Sequence, residues 1–294
     1  MPVGEWEKVL WKKQPHPDNF IPSDSFFSSL RKNPNFKPYT YGPLVLLSCA
    51  ITQHLATIFT FIAVFVRLKE NLLDPRVLLW TSIACFLVGY MLWEVLNYSD
   101  TQVVYGISSR TKVLKSSLLV FLALMGLSPV LRTLTAATSS DSIWAISAFL
   151  FILNALLADY SSMKPGIPSQ ERLTSVLSMN AAISSSVVLA SRLPDDLAVF
   201  SLVLFGVQLF ALLPILRHRL RFIPKIMQAF VTALISIMCI ALTASLSISV
   251  SIIYAAVLFS VTFIAPALLV WAQKYKNEIR GPWDVAVPRI NWPS

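Results

Sequence analysis

Runs of apolar residues, each about twenty positions long, recur along the chain with only short polar breaks between them. Coiled as an α-helix rising about 1.5 Å per residue, such a run crosses a hydrocarbon core of about 30 Å. The runs predict eight spans, at 43–66, 77–96, 113–131, 143–158, 173–191, 197–216, 226–246 and 250–272. The expected protein is therefore all-α and polytopic. It has an N-terminal arm at 1–42, an eight-helix transmembrane domain at 43–272 and a C-terminal tail at 273–294. The fourth span is the weakest, because sixteen residues reach only about 24 Å and need a longer helix or a thinned bilayer. The seventh and eighth meet in the Ser-rich stretch 245–251, where a tight hairpin and one long helix read alike.

Composition sharpens this picture. Hydrophobic residues make up 55% and charged residues 13% of the 294 positions, against roughly a quarter charged in a soluble domain. An ordinary soluble enzyme is excluded. A net charge of +9 would suit a nucleic-acid partner, but the basic residues lie between apolar runs and not on one soluble face. They read better as a topology signal, since Lys and Arg beside spans stay on the cytosolic side. With eight spans, the termini and the even-numbered loops hold nineteen of the 24 Lys and Arg, and the odd-numbered loops hold five. Both termini are expected in the cytosol. No apolar core lies near the start, so no cleavable signal peptide is expected. The sequon at Asn97-Tyr98-Ser99 falls on the cytosolic side and is read as chance. Cys49, Cys85 and Cys239 lie within apolar runs and are expected to be buried as small hydrophobes.

Outside the spans, Trp6, Val9 and Leu10 share helical spacing beside Lys12 and Lys13, the pattern of an interfacial anchor or docking face. Phe26, Phe27 and Leu30 form a second such stretch, and the prolines between the two forbid one continuous helix. After the last span, Gly281-Pro282 favours a turn, and Trp283 beside it suits an interface or a pocket on another chain.

Ionisable groups within spans usually carry function, and here they are few. His54 lies midway along the first run beside Gln53, while Glu94 and Asp159 sit at span ends. His54 reads as a hydrogen-bonded structural histidine, with contact to a lipid headgroup or a neighbouring subunit as the alternative. In the fifth run, Ser178, Ala182, Ser186 and Ala190 recur every four residues and make a small-residue packing face, with Asn180 and Ser184 nearby to bond across. Arg192 ends that run, where it can snorkel or hold an anion. Pro129 is placed to kink the third helix and release a carbonyl. Asp195 and Asp196 are read as capping the sixth. No Ser/His/Asp set, His/Cys metal spacing or Gly-rich phosphate loop is evident, so no catalytic, cofactor-binding or metal residue is assigned.

Several fragments, taken in order, resemble one family. They are Trp6 with Lys8-Val9-Leu10 and Lys13-Gln14-Pro15, Pro17-Asp18-Asn19, Ser128-Pro129-Val130-Leu131 with Thr133-Leu134-Thr135, Asn180-Ala181-Ala182-Ile183, Leu189-Ala190-Ser191-Arg192-Leu193, Gln208 with Phe210-Ala211-Leu212 and Pro214, and Gly281-Pro282-Trp283-Asp284. The chain resembles the PIG-C family, a component of the complex that transfers N-acetylglucosamine to phosphatidylinositol in the first step of GPI-anchor biosynthesis. The stretch 97–112 matches that family poorly. The resemblance implies a non-catalytic, multi-pass subunit of the endoplasmic reticulum membrane that works beside a separate catalytic subunit, PIG-A, and helps present the lipid acceptor. Partners would be PIG-A, the other subunits and membrane lipid, including phosphatidylinositol, and not nucleic acid. Candidate partner or lipid contacts are Trp6, Lys12, Lys13, His54, Asn180, Ser186, Arg192 and Trp283, with Arg217, Arg219 and Arg221 as further cytosolic cations. The alternatives are a membrane transporter or lipid scramblase, which would need paired broken spans at the bilayer centre, and an intramembrane transferase using His54 or Asp159.

Overall fold

A computed structural model describes residue 13 and residues 38–100, 107–160, 173–220 and 225–276. All regular structure among the described residues is helical. In chain order α1 is Tyr41–Lys69, α2 Pro75–Asp100, α3 Ile107–Thr133, α4 Ser140–Leu157 and α5 Leu173–Ala190. Helix α6 runs Asp196–Val207, passes through a π-helical turn at Gln208–Leu212 and continues as Leu213–Leu220. Helix α7 is Lys225–Ala244, and α8 runs Ile248–Phe259, through a second π turn at Ser260–Ile264, to Ala265–Lys276.

Local chemistry explains several boundaries. Helix α1 ends in a Schellman motif: Asn71 takes a φ of 55°, its N–H donates to Leu68 O, and Leu72 N–H reaches Arg67 O. Arg67 and Lys69 in the last turn complement the helix dipole. Asp74 caps α2 through its side chain on Arg76 N–H, with Pro75 at the first helical position. The short fourth span gains a turn at its start: Ser139 accepts from Ser142 N–H, and α4 reaches 18 residues, about 27 Å. The Ser-rich stretch is a hairpin turn, closed by Leu246 and Ser247 N–H on Thr243 O.

The chain divides into two compact units, one of them Gly42–Pro266. Within it α1 is the central helix, and Phe61 and Phe65 are almost wholly buried. Phe61 meets Phe151 and Phe210 edge-on and stacks on Phe205, while Phe65 meets Trp144. The same core takes in Leu78 of α2, Ile143 of α4, Ala182 and Leu189 of α5, and Val199, Leu202 and Val203 of α6. Helices α5 and α6 approach so closely that a Cβ on Gly206 would lie 2.8 Å from Ser186 Cβ and Oγ. The stripe Ser178, Ala182, Ser186 and Ala190 is buried throughout, as its spacing predicts. Cys49 and Cys239 are buried, whereas Cys85 lies on an exposed face of α2.

Two prolines inside helices free a carbonyl one turn earlier, and in both cases a serine takes it. The Met125 carbonyl opposite Pro129 accepts from Ser128 Oγ, and the Thr262 carbonyl opposite Pro266 accepts from Ser48 Oγ of α1. Each π turn ends two residues before a proline, Pro214 in α6 and Pro266 in α8.

The other unit comprises Met1–Tyr41 and Ala267–Ser294. In its described part the Gln273 side-chain amide pairs with the backbone of Tyr39. Tyr39 N–H donates to Oε1 at 2.7 Å, and Nε2 donates to Tyr39 O at 2.9 Å. Tyr39 precedes the first span and Gln273 lies in the last, so the chain enters and leaves at one end, which requires an even number of crossings. Seven described helices are long and apolar enough to cross a bilayer; α5, with the shorter apolar stretch Ser175–Ala190, makes eight.

Candidate functional site

The middle of α1 carries Gln53, His54 and Thr57, and each reaches a different neighbour. Asn154, in the last turn of α4, donates through Nδ2 to Ser178 O and Ser178 Oγ of α5, both at 2.9 Å. A carbonyl only accepts, so this fixes the amide and turns Oδ1 toward His54 Nε2, 2.8 Å away. Nε2 therefore carries a proton. On the other side of the ring, Tyr160 Oη lies 2.7 Å from Nδ1 and 3.0 Å from Ala155 O, and its single proton serves one of them at a time. The shorter contact is to the imidazole, which makes His54 the neutral Nε2–H tautomer. Burial pushes the Tyr160 phenol up to about 12, against the opposing pull of nearby Arg217, so the phenol keeps its proton at neutral pH.

From α6, Arg217 donates through Nη2 to Gln53 O and Thr57 Oγ1, both at 3.3 Å, and so packs on the helical turn that holds His54. Gln53 Nε2 points to α7, donating to Thr232 Oγ1 at 2.8 Å and Gln228 O at 3.3 Å. One turn earlier, Thr52 Oγ1 meets Thr262 Oγ1 of α8 at 2.8 Å. Less than two turns of α1 thus bind α4, α5, α6, α7 and α8 by hydrogen bonds. In a bilayer, where apolar surface gains nothing by leaving lipid, such bonds and close packing hold helices together. With both ring nitrogens engaged, His54 acts as a structural tie between α1, α4 and the segment after it.

The other sequence candidates are dispersed. Trp6, Lys12 and Trp283 lie outside the described residues, as do the side chains of Arg219 and Arg221. Lys13 is described and exposed. Ser186 is buried, donates to Ala182 O and faces Gly206. Asn180 and Ser184 are exposed, and the bonds across α5 come instead from Ser178 to Asn154 O and from Ser185 to Ser147 O. Arg192 sits at the opposite end of α5, where Nη2 donates to Thr138 O. Asp195 occupies the N-cap position of α6 without a side-chain cap bond, and Asp196 pairs with Arg132 at 3.0 Å. Asn154, Tyr160 and Ser178 are the cluster members that the amino-acid pattern does not connect with His54.

Comparison with known proteins places the chain. Residues 6–284 match the family model described as phosphatidylinositol N-acetylglucosaminyltransferase, GPI2. The GPI2 subunit of that transferase from Schizosaccharomyces pombe is 37% identical over 97% of this chain and 87% of its own length. The transferase's PIG-C-type subunit from Rattus norvegicus is 36% identical and that from Homo sapiens 35% identical, each over 96% of this chain and 92% of the relative. No solved structure matches. The chain belongs to the GPI2 family of phosphatidylinositol N-acetylglucosaminyltransferase subunits.

Proposed function

We propose that this chain is a non-catalytic subunit of the endoplasmic reticulum membrane, part of the complex that transfers N-acetylglucosamine from UDP-GlcNAc to phosphatidylinositol. It holds the catalytic subunit, PIG-A, at the membrane and helps present the lipid acceptor, with both termini in the cytosol. The observation that carries this reading is the build of the chain. Its described elements are all membrane-length or apolar helices, and the arm before the first span is about 40 residues. A nucleotide-sugar site of Rossmann type needs several βαβ units, roughly a hundred residues or more. UDP-GlcNAc is then held by a sister subunit, and this chain contributes the membrane body against which that subunit works. Cations near the ends shared by the termini, Lys12, Lys13 and Arg217, are the candidates for the acceptor's phosphate. The cytosolic placement follows from the loop charges, and the pairing of Tyr39 with Gln273 supports placing both termini on one face.

The test is a depletion experiment. Membranes lacking this chain should lose transfer activity and the membrane-bound fraction of PIG-A together, and both should return with the wild-type chain. PIG-A that stays on the membrane at its normal level, with activity alone missing, would count against the scaffold role.

A further inference from the structure

A crevice of about 420 Å3 opens between the second half of α1 and the α7–α8 turn, at the end of the body opposite the one where the chain enters and leaves. One stripe of α1, Ile62, Val66 and Glu70, faces one stripe of α8, Tyr254, Val250 and Ser247, at four-residue spacing on the first helix and near it on the second. The helices are fastened at both limits of the gap. Phe59 stacks on Tyr254 with ring centroids 4.0 Å apart, and Arg67 donates to Leu242 O and to Ser245 Oγ at the turn. Along the stripes between these ties the gap stays open.

A gap walled by isoleucine, valines and a tyrosine ring within a membrane-spanning body does not retain water. Left empty, it would forfeit the dispersion contacts of both walls. Its volume suits one slender ligand and is too small for a further helix about 10 Å across. The lip selects the occupant. Glu70 is exposed, and its carboxylate makes no hydrogen bond or ion pair among the described residues. The neighbouring cations are turned elsewhere, Arg67 to the hairpin carbonyl and Lys69 over the Trp144 ring at 5.7 Å. An uncompensated negative charge therefore stands where an apolar slot meets the membrane surface. We propose that the crevice seats one acyl chain of a phospholipid with an amine headgroup, the ammonium at Glu70 and the chain along Ile62, Val66, Val250 and Tyr254. It is a structural lipid, about 24 Å along α1 from the His54 cluster, and its binding does not depend on sugar transfer.

The complex purified in mild detergent should retain about one phosphatidylethanolamine per chain, as read by mass spectrometry of the extracted lipid. Val66→Trp, which fills the slot, should lower retention at least fivefold. Glu70→Gln should keep a lipid there but lose the preference for phosphatidylethanolamine over phosphatidylglycerol. Equal retention in Val66→Trp, or an unchanged preference in Glu70→Gln, would overturn the assignment. Should the tryptophan variant fail to assemble, the wild-type chain still decides the matter with a phosphatidylethanolamine bearing a photoreactive diazirine in its acyl chain. Adducts concentrated at Val66, Val250 or Tyr254 support the site. Adducts spread equally over Leu119 and Leu122 of α3, or a protein segment cross-linked to Val66, refute it.

Discussion

Helices α1 to α6 close around a continuous apolar core, whereas α7 and α8 share with α1 a much smaller buried cluster of Ala56, Cys239 and Leu258. The first group interlocks through aromatic rings and the close approach of Gly206 to Ser186. The hairpin is held largely by directional polar bonds: Ser48 and Thr52 to Thr262, Gln53 to Thr232, and Arg67 to Leu242. The difference teaches where strength comes from in lipid. Apolar burial separates the two regions little, because a leucine side chain is as well solvated by acyl chains as by a neighbouring helix. Packing density builds the body, and hydrogen bonds attach the hairpin. Each such bond in a membrane protein is worth about 0.6 kcal/mol on average and roughly 1.7 at most, so the hairpin can be loosened one bond at a time while the body survives.

The largest effect should come from Gly206→Val. Its Cβ would fall 2.8 Å from Ser186 and 3.2 Å from the Phe61 ring, so α5 and α6 must part. A loss of about 3 kcal/mol should appear as a collapse in the thermal midpoint of the purified chain. Next is Asn154→Leu, which removes the bonds to His54 and Ser178 together. It should cost about 2 kcal/mol, and Tyr160→Phe, which removes only the outer bond, about 0.6 kcal/mol; equal costs would mean that the cluster does not act through Asn154. Third, Gln53→Leu with Thr262→Val should speed proteolytic cleavage at the turn near Ser245–Ser247 several-fold. The thermal midpoint of the α1–α6 body should stay nearly unchanged, and a matching fall would show that body and hairpin unfold as one. The smallest effect belongs to Lys69→Met, which gives up the contact over Trp144 and should shift stability by only about 0.5 kcal/mol.

Much of this was legible in the amino-acid pattern. The four-residue recurrence of small residues in α5 identified its buried face because 3.6 residues per turn keeps such positions in line. The same geometry shows why Asn180 and Ser184 face outward: they stand two residues off that stripe, about half a turn around the helix. His54 stood out because polar residues are rare in the runs. Its partners did not, since Asn154 and Tyr160 lie 100 and 106 positions away and nothing local links them to it. The start of α4 was missed because Ser140, Asp141 and Ser142 read as a loop by hydropathy while a serine cap makes them a first turn. The π turns leave no hydropathic trace, and only Pro214 and Pro266 mark where they end. The Asp195-Asp196 pair was read as a cap, yet Asp196 pairs with Arg132, 64 positions away, whose distance in the chain hid the pairing.

The central claim is that this polypeptide holds others in place and transfers no sugar itself. Reconstituted alone in phosphatidylinositol vesicles and supplied with radiolabelled UDP-GlcNAc, it should form no labelled lipid, while the assembled complex in the same vesicles does. Labelled N-acetylglucosaminyl-phosphatidylinositol made by the isolated chain would contradict the account.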